Sequence, residues 1–176
     1  MLSPRRIGAL GLYGNPLRAD ARGRAAIASL EQIIDVAGAH GVPIVACFTG
    51  RIPGTPWERS VPRFRRVFTA LLQRAAERNV RIALETCPMD GDDRSGDWNL
   101  AYRPDHWSAL IDEIPPETRS WVGIEWEPAH LIVQRIEPLA PLKEWVSRVF
   151  YVHGKDARRA DVVAAVESGG LWADAP

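Results

Sequence analysis

Hydrophobic residues in this chain form short runs that alternate with longer amphipathic segments. Five runs have the length and apolar character of buried strands. In Ala21–Ala39, apolar side chains recur at the i, i+3, i+4, i+7 spacing of a helix, between Asp20 and the helix-ending Gly41. The predicted strands are Ile7–Tyr13, Val42–Thr49, Val80–Thr86, Trp121–Glu127 and Arg148–His153, and the other predicted helices are Val67–Arg78, Asp105–Ile114, Pro138–Val146 and Arg158–Glu167. This alternation predicts an α/β fold built from βαβ units on a parallel sheet.

The loops of the predicted fold are uneven in length. Long polar segments such as "GRIPGTPWERSVPR" follow strands, whereas tight turns such as "HGVP" and "ERNV" precede them. Parallel sheets carry their ligand sites at the carboxyl ends of the strands, where such long loops lie. We therefore expect a functional site at that end of the sheet.

Composition narrows the class of protein. The 176 residues are 46% hydrophobic and 25% charged, with 22 basic and 22 acidic side chains, which indicates one globular domain. A net charge of zero argues against a nucleic-acid partner bound mainly by positive charge. Cys47 and Cys87 form no zinc-finger or disulfide pattern, and no apolar run reaches the roughly 18 residues of a membrane span. We expect a cytoplasmic protein with neither a nucleic-acid nor a membrane partner.

Ionisable side chains collect where three successive predicted strands end. The segment "IEWEPAH" places Glu125, Glu127 and His130 within a few positions, while Glu85 ends the third strand and His153 ends the fifth. Because side chains alternate along a strand, Glu125 and Glu127 share one face, which points inward if helices cover the outside. Unpaired charges are rare in a hydrophobic core, because they are costly to bury.

Two interpretations of these side chains are open. Glu85, Glu127 and His153 are either separate strand-end residues paired with arginines, or ligands of one divalent cation. A carboxylate and imidazole donor set suits Mn²⁺, Co²⁺ or Zn²⁺, and Mg²⁺ less well. The occurrence of all three on neighbouring strands favours the cation.

Several motifs extend this interpretation to a family. "LETCP", "NLAY", "GIEWEPAHLI" and "VHGKDA" resemble the xylose-isomerase-like sugar phosphate isomerase/epimerase family, whose superfamily includes endonuclease IV. The resemblance implies a (β/α)8 TIM-type barrel with a metal at its carboxyl end. It also implies that Glu85, Glu127 and His153 are three of the four metal ligands, that Glu85 is in addition a catalytic proton-transfer carboxylate, and that His130 contacts substrate.

The chain departs from the family pattern in two respects. Glu127 stands where the family usually has an aspartate, so its oxygens reach the cation from a different angle. The fourth ligand, a glutamate on the last strand, has no counterpart, and five strands are predicted where a barrel has eight. We expect residues 1–176 to be a single, partial barrel domain that lacks the first two strands and the last.

Three further residues are candidates for substrate binding, because they follow strands on the loop face. Asn15 and Arg51 lie in the loops after the first two strands, and Lys155 follows His153. Arg51 suits a phosphate or carboxylate group, although a loop arginine is more often solvated or salt-bridged. Lys155 is either a partner of the His153 region or an exposed ion-pairing residue.

The sequence favours a metal-dependent isomerase or epimerase that transfers a proton beside the carbonyl of a small sugar or polyol. One alternative is an endonuclease-IV-like phosphodiesterase, which requires further histidine ligands from early strands. Another is an inactive fragment or scaffold, so the sequence leaves enzymatic activity open. Open sheet edges also make a homo-oligomer possible. We expect the 176-residue chain alone to bind metal weakly and to have little isomerase activity.

Overall fold

The computed structural model describes residues 7–88, 99–155, 157–158, 160–161 and 163–164. Its strands are β1, Leu10–Leu12; β2, Ile44–Cys47; β3, Arg81–Glu85; β4, Val122–Trp126; and β5, Val149–Val152. Its helices are α1, Ala21–Ala39; α2, Trp57–Glu77; α3, Pro104–Asp112; α4, Pro128–Val133; and α5, Leu139–Trp145. The strands form one parallel sheet in the order β1-β2-β3-β4-β5, which is not closed among these residues. The α/β fold with five parallel strands and flanking helices is therefore confirmed.

Helix α1 has the bounds that its sequence pattern predicts. The carboxylate of Asp20 accepts a hydrogen bond from Gly23 N at the start, and His40 and Gly41 end the helix. Its apolar stripe, which includes Leu30 and Ile34, is buried against the sheet. Local capping and tertiary burial therefore agree at this helix.

Helix α2 begins at Trp57 rather than at the predicted Val67. Pro62 lies inside it, and a proline there removes a helical hydrogen bond, which favours a loop in the sequence. Tertiary contacts oppose this effect, because the Ser60 hydroxyl accepts a hydrogen bond from Ile52 N at 3.0 Å and Phe64 is fully buried. Burial thus outweighs the local penalty of the proline.

Two other predicted elements differ from the structure. Helix α4 has no counterpart among the predicted helices, because its six residues are too few to show a periodic pattern. Half of the predicted helix Arg158–Glu167 lies outside the described residues. The strands are also shorter than predicted, most clearly β1. No helix among the described residues has the length and apolar character required to cross a membrane.

Apolar side chains cover both faces of the sheet. The outer face packs under the helices with residues such as Val45, Ile82 and Ile124. The inner face is smaller and consists of Ile44, Ala46 and Ala83 with the partly buried Ala9, Phe150 and Tyr151. The alternation of β3 and β4 therefore directs Ile82 and Ile124 to the helices, as predicted, and leaves the inner face for the glutamates.

The loops after β2 and β3 are joined by the side chain of Asn99. Its Oδ1 accepts hydrogen bonds from Thr49 N at 2.8 Å and Gly50 N at 3.1 Å, and from the Thr49 hydroxyl. Its Nδ2 donates to Glu85 O at 2.6 Å and to Cys87 O at 3.1 Å. One buried amide therefore fixes the backbone at the carboxyl ends of two strands.

Strand β5 approaches β4 closely at Gly123. A Cβ added there would lie 2.4 Å from Arg148 O and 2.7 Å from the Phe150 ring. The register of the two strands shifts between Ile124 and Glu125, as at a β-bulge. A glycine is required here because no side chain fits between the strands.

We expect Gly123→Ala to destabilise the chain by about 1–3 kcal/mol, the range of overpacked core substitutions. The added methyl would push β5 away from β4. Urea denaturation monitored by circular dichroism measures the loss. The matched control is Gly8→Ala, where the added Cβ meets no atom within 4 Å, and we expect a change within about 0.5 kcal/mol. Equal stability of the two variants would contradict this account of the β4–β5 contact.

Candidate metal centre at the carboxyl ends of the strands

The fold brings three glutamates to the carboxyl end of the sheet. Glu85 is the last residue of β3 and is the register partner of Glu125 on β4, while Glu127 directly follows β4. Glu125 and Glu127 are fully buried, and Glu85 is 6% exposed. Strand alternation directs them away from the helices, which concentrates carboxylate groups in a small buried volume.

His153 lies between these glutamates. Its Nδ1 is 3.5 Å from Glu85 Oε1 and 3.3 Å from Glu127 Oε2, and its Nε2 is 2.8 Å from Glu125 Oε1. The residue follows β5, and His153 N donates a hydrogen bond to Trp126 O at 3.1 Å. The pairing of β5 with β4 therefore places this imidazole against all three carboxylates.

His130 and Lys155 approach Glu127 from the loop side. His130 lies on α4, one turn after Glu127, and its Nε2 is 3.0 Å from Glu127 Oε1 and 3.8 Å from Glu85 Oε1. Lys155 Nζ is 2.9 Å from the same Glu127 oxygen. These are ion-pair distances, yet Glu127 Oε1 is buried and makes no hydrogen bond. This oxygen has an unused capacity to bind a cation or a donor.

A cavity of about 620 Å³ opens above this cluster. Its volume is within the range of small-molecule sites. Aromatic and ionisable side chains both contribute to the lining. The lining residues are Tyr13, Phe48, Glu85, Cys87, His130, His153, Gly154 and Lys155.

Burial and mutual repulsion shift the acidities of the glutamates. Burial, then the negative charge of Glu85, raises the pKa of Glu125 to about 8, although the Tyr13 hydroxyl opposes this by donating to its carboxylate. Burial also raises the pKa of Glu85. For Glu127 burial acts in the same direction, but the close cationic groups of His130 and Lys155 outweigh it and lower the pKa. The cluster thus holds one stabilised carboxylate and two that favour a bound proton.

His130 is shifted in the direction of its cationic form. Burial alone lowers the pKa of this imidazole, but interactions with Cys87 and Glu127 outweigh burial and raise the pKa to about 9. At neutral pH the metal-free chain therefore holds an imidazolium at the edge of the cavity. That group can donate a hydrogen bond to an oxygen of a bound molecule.

The side chains in the cluster fit a divalent cation. Two overlapping groups, Glu85 with Glu127 and His130, and Glu85 with Glu125 and His153, each bring one ligand atom per residue within 4.8 Å of the others. Ligands bound at about 2.0–2.3 Å and at right angles lie about 3 Å apart. The imidazole nitrogens lie 2.8–3.8 Å from the carboxylate oxygens, so small shifts of these side chains would let each group bind an ion. The unused oxygen of Glu127 is a further indication, because a cation would satisfy it.

The structure brings some of the predicted site residues together and leaves others outside. Glu85, Glu127, His130, His153 and Lys155 lie in the cluster or at its edge.

Asn15 and Arg51 do not line the cavity. Asn15 joins two loops, because its Nδ2 donates to Arg51 O at 2.8 Å and its Oδ1 accepts from Arg51 N at 3.0 Å. Arg51 is 3% exposed, and its Nε donates to Thr55 O at 3.1 Å. A substrate contact by these two residues stays a prediction; in the structure the Asn15 amide and Arg51 Nε bind loop backbone.

Two residues of the cluster were not assigned roles from the sequence. Glu125 was expected to point inward, and it does, but the family motif gave it no function. The Tyr13 hydroxyl donates to Glu125 at 3.3 and 3.4 Å, and its ring centroid is 6.3 Å from that of His153. Tyr13 ends the predicted first strand, and nothing in the sequence shows that the sheet curls enough for it to reach β5.

Taken together, an incompletely closed parallel sheet with a carboxylate and imidazole cluster at its carboxyl end defines a partial barrel with a candidate metal centre. The family model described as "Xylose isomerase-like TIM barrel" matches residues 5–166. The chain therefore belongs to the xylose isomerase-like TIM barrel family. A comparison with curated proteins found no match.

Solved structures show the same fold at low sequence identity. A xylose isomerase domain protein from Planctomyces limnophilus is 23% identical, with a TM-score of 0.61 over 84% of this chain and 49% of that one. The probable 3-DHS dehydratase AsbF from Bacillus anthracis is 16% identical, with a TM-score of 0.68 over 96% and 57%. The D-allulose 3-epimerase from Methylomonas sp., in complex with D-allulose, is 17% identical, with a TM-score of 0.64 over 91% and 58%. The chain thus spans about half the length of these proteins.

The raised pKa of Glu125 predicts how the stability of the metal-free chain depends on pH. Between the ordinary glutamate pKa of 4.5 and the folded value of about 8, the folded chain holds a proton that the unfolded chain has released. The free energy of unfolding should therefore fall as the pH rises through this window. Glu125→Gln, which cannot ionise, should reduce the slope.

Urea midpoints measured with a chelator from pH 5 to 8 give both slopes. Glu77→Gln, an exposed position on α2, is the matched control and should keep the slope of the parent chain. If Glu125→Gln also keeps that slope, the carboxyl group of Glu125 does not titrate in this window.

Proposed function

We propose that the chain carries the active site of a metal-dependent sugar or polyol isomerase or epimerase, which transfers a proton at a carbon beside a carbonyl group. The observation that supports this most is the cluster of Glu85, Glu127, His130 and His153 at the carboxyl ends of β3, β4 and β5. Glu85, His130 and His153 also line the cavity. The epimerase and dehydratase names among the structural neighbours agree with this proposal, because both reactions of a hydroxycarbonyl compound begin with removal of such a proton.

The proposed cation ligands are Glu85, Glu127 and His153. Two carboxylates and one imidazole suit Mn²⁺, Co²⁺ or Zn²⁺, and less well Mg²⁺. When bound there, such a cation stabilises the negative charge that develops on the substrate carbonyl oxygen. The protein contributes a buried and fixed arrangement of donors, held by three neighbouring strands.

Glu85 is the proposed proton-transfer residue. It is nearly buried, it borders the cavity, and burial raises its pKa toward the range in which a carboxylate both accepts and returns a proton. Tyr13 and Phe48 line the same cavity, and their ring centroids are 5.1 Å apart. A sugar bound in the cavity would present its C–H bond to Glu85 and its oxygens to the cationic groups.

His130 and Lys155 are the proposed substrate-binding groups. The imidazolium of His130 lines the cavity with its Nε2 next to Glu127, and Lys155 extends over the same carboxylate. Both can donate hydrogen bonds to substrate oxygens. Lys155 is 61% exposed, so it can reorient when a ligand enters.

No observation favours the endonuclease-IV-like alternative. That reading requires more histidine ligands than the two in the cluster. The other two histidines are used elsewhere: His40 ends α1, and His106 packs against Trp57 and Tyr102. We therefore test the isomerase or epimerase proposal, and the main alternative is an inactive scaffold.

Exchange of a carbon-bound proton tests the proposed chemistry directly. We expect the chain, supplied with saturating Mn²⁺, to exchange the proton at C3 of D-allulose in D₂O slowly, because its metal binding is expected to be weak. The loss of the corresponding ¹H NMR signal measures this exchange. Glu85→Gln should lower the exchange rate by about 10²-fold or more, the contribution of a general base. Glu77→Gln should leave it unchanged. Cation binding without exchange on any of a panel of ketohexoses would favour the scaffold reading.

The roles of His130 and His153 can be separated by two matched substitutions. His153→Asn should weaken Mn²⁺ binding by about 10-fold or more, because it removes a proposed ligand. His130→Asn should leave the Mn²⁺ affinity nearly unchanged but reduce proton exchange, because it removes a substrate contact. Isothermal titration calorimetry and the NMR exchange assay measure the two effects. A large loss of Mn²⁺ affinity in His130→Asn would instead make His130 a metal ligand.

A further inference from the structure

Glu125 lies inside the cluster but has no part in the function proposed above. It is fully buried and is paired in register with Glu85, so two carboxylates face each other on neighbouring strands. Like charges placed opposite each other in a sheet are destabilising, and the effect grows when both are buried. Among the described residues, no lysine or arginine forms an ion pair with Glu125 that would offset this repulsion.

The carboxylate oxygens of Glu125 have the contacts expected of cation ligands. Its Oε1 is 2.8 Å from His153 Nε2. One ligand atom each of Glu85, Glu125 and His153 lies within 4.8 Å of the other two. The Tyr13 hydroxyl is 3.3 and 3.4 Å from the two oxygens and has one proton to donate, so Oε2 keeps at least one free lone pair. Independently, Oε1 of Glu127 in the adjoining group, which also contains Glu85, is buried and makes no hydrogen bond, although His130 and Lys155 lie within ion-pair distance.

We propose that Glu125 is a further protein ligand of the divalent cation, beside Glu85 and His153. This inference rests on the proposed function, since it concerns the same ion. Glu85 belongs to both groups of converging side chains, so a cation next to it lies near Glu125 as well as Glu127. In the group that contains Glu125, strands β3, β4 and β5 supply two carboxylates and one imidazole, which are suitable donors for a borderline divalent ion.

If Glu125 orients His153 instead of binding the ion, its substitution should affect cation binding differently. If it only accepts the Nε2–H of His153, it orients the imidazole without touching the ion, as carboxylates around metal-bound histidines do. Glutamine retains an oxygen that accepts this N–H but binds a cation poorly. The variant Glu125→Gln therefore distinguishes a ligand from an orienting residue.

The experiment compares the parent chain, Glu125→Gln and the control Glu77→Gln, all stripped of metal. Calorimetric titration with Co²⁺ gives the affinity, and the visible absorption of bound Co²⁺ reports its ligand set. We expect Glu125→Gln to weaken Co²⁺ binding by about 10²-fold or more, beyond the 10–100-fold typical of residues that only orient a ligand. We also expect a changed Co²⁺ spectrum. Glu77→Gln should match the parent in both.

Thermal unfolding without metal shows whether the variant is folded. Glu125→Gln removes the repulsion from Glu85, so its melting temperature should be equal to or above that of the parent, although it binds metal less well. Glu125→Asp is a second variant, which keeps the charge but withdraws the oxygens by one methylene. Its loss of affinity should be smaller than that of Glu125→Gln.

The outcomes separate this inference from the proposed function. If both Glu125 variants bind Co²⁺ with the affinity and spectrum of the parent, Glu125 is not a ligand, and the proposed function is unaffected. If the parent chain itself binds neither Co²⁺ nor Mn²⁺, the proposed function fails, and the ligand role of Glu125 fails with it. Reduced affinity and an altered spectrum in a folded Glu125→Gln support the inference.

Discussion

The structure depends on how the chain neutralises three buried carboxylates that lie side by side. Glu85 and Glu125 face each other across the β3–β4 pair, and Glu127 follows one step later on the same side. Burying any one of these carboxylates costs free energy, and their closeness adds repulsion between their negative charges. In the metal-free chain, the ammonium of Lys155, the imidazole of His130 and the raised pKa of Glu125 reduce the charge. A divalent cation would neutralise the group more completely, since it binds several oxygens at once.

The scaffold keeps these groups together because each one is fixed by a separate packing constraint. The close approach of β5 to β4 at Gly123 fixes the position of His153 relative to the glutamates of β4. The short helix α4 turns His130 back over Glu127. Helices α1 and α2 bury the outer face, which leaves the inner face for polar groups. The arrangement is therefore preorganised, and a ligand would meet donors that are already in place.

Much of this arrangement could be predicted from the chain alone. Strand-end positions placed Glu85, Glu127 and His153 on neighbouring strands, because alternation and parallel topology are local rules that the hydrophobic pattern reveals. The same rules failed where tertiary contacts decide the outcome. The start of α2 around Pro62 depends on the burial of Ser60 and Phe64, and the reach of Tyr13 depends on the curvature of the whole sheet. Arg51 looked available for a ligand because its burial is invisible in the sequence.

The amide of Asn99 has a consequence for how this domain can change over time. Because it binds Glu85 O, Cys87 O and the backbone after β2, one side chain ties two segments together at the carboxyl end of the sheet. Its loss would leave several buried backbone groups without a hydrogen-bond partner at once. Position 99 therefore tolerates little sequence change, although its side chain contributes no donor to the carboxylate and imidazole cluster.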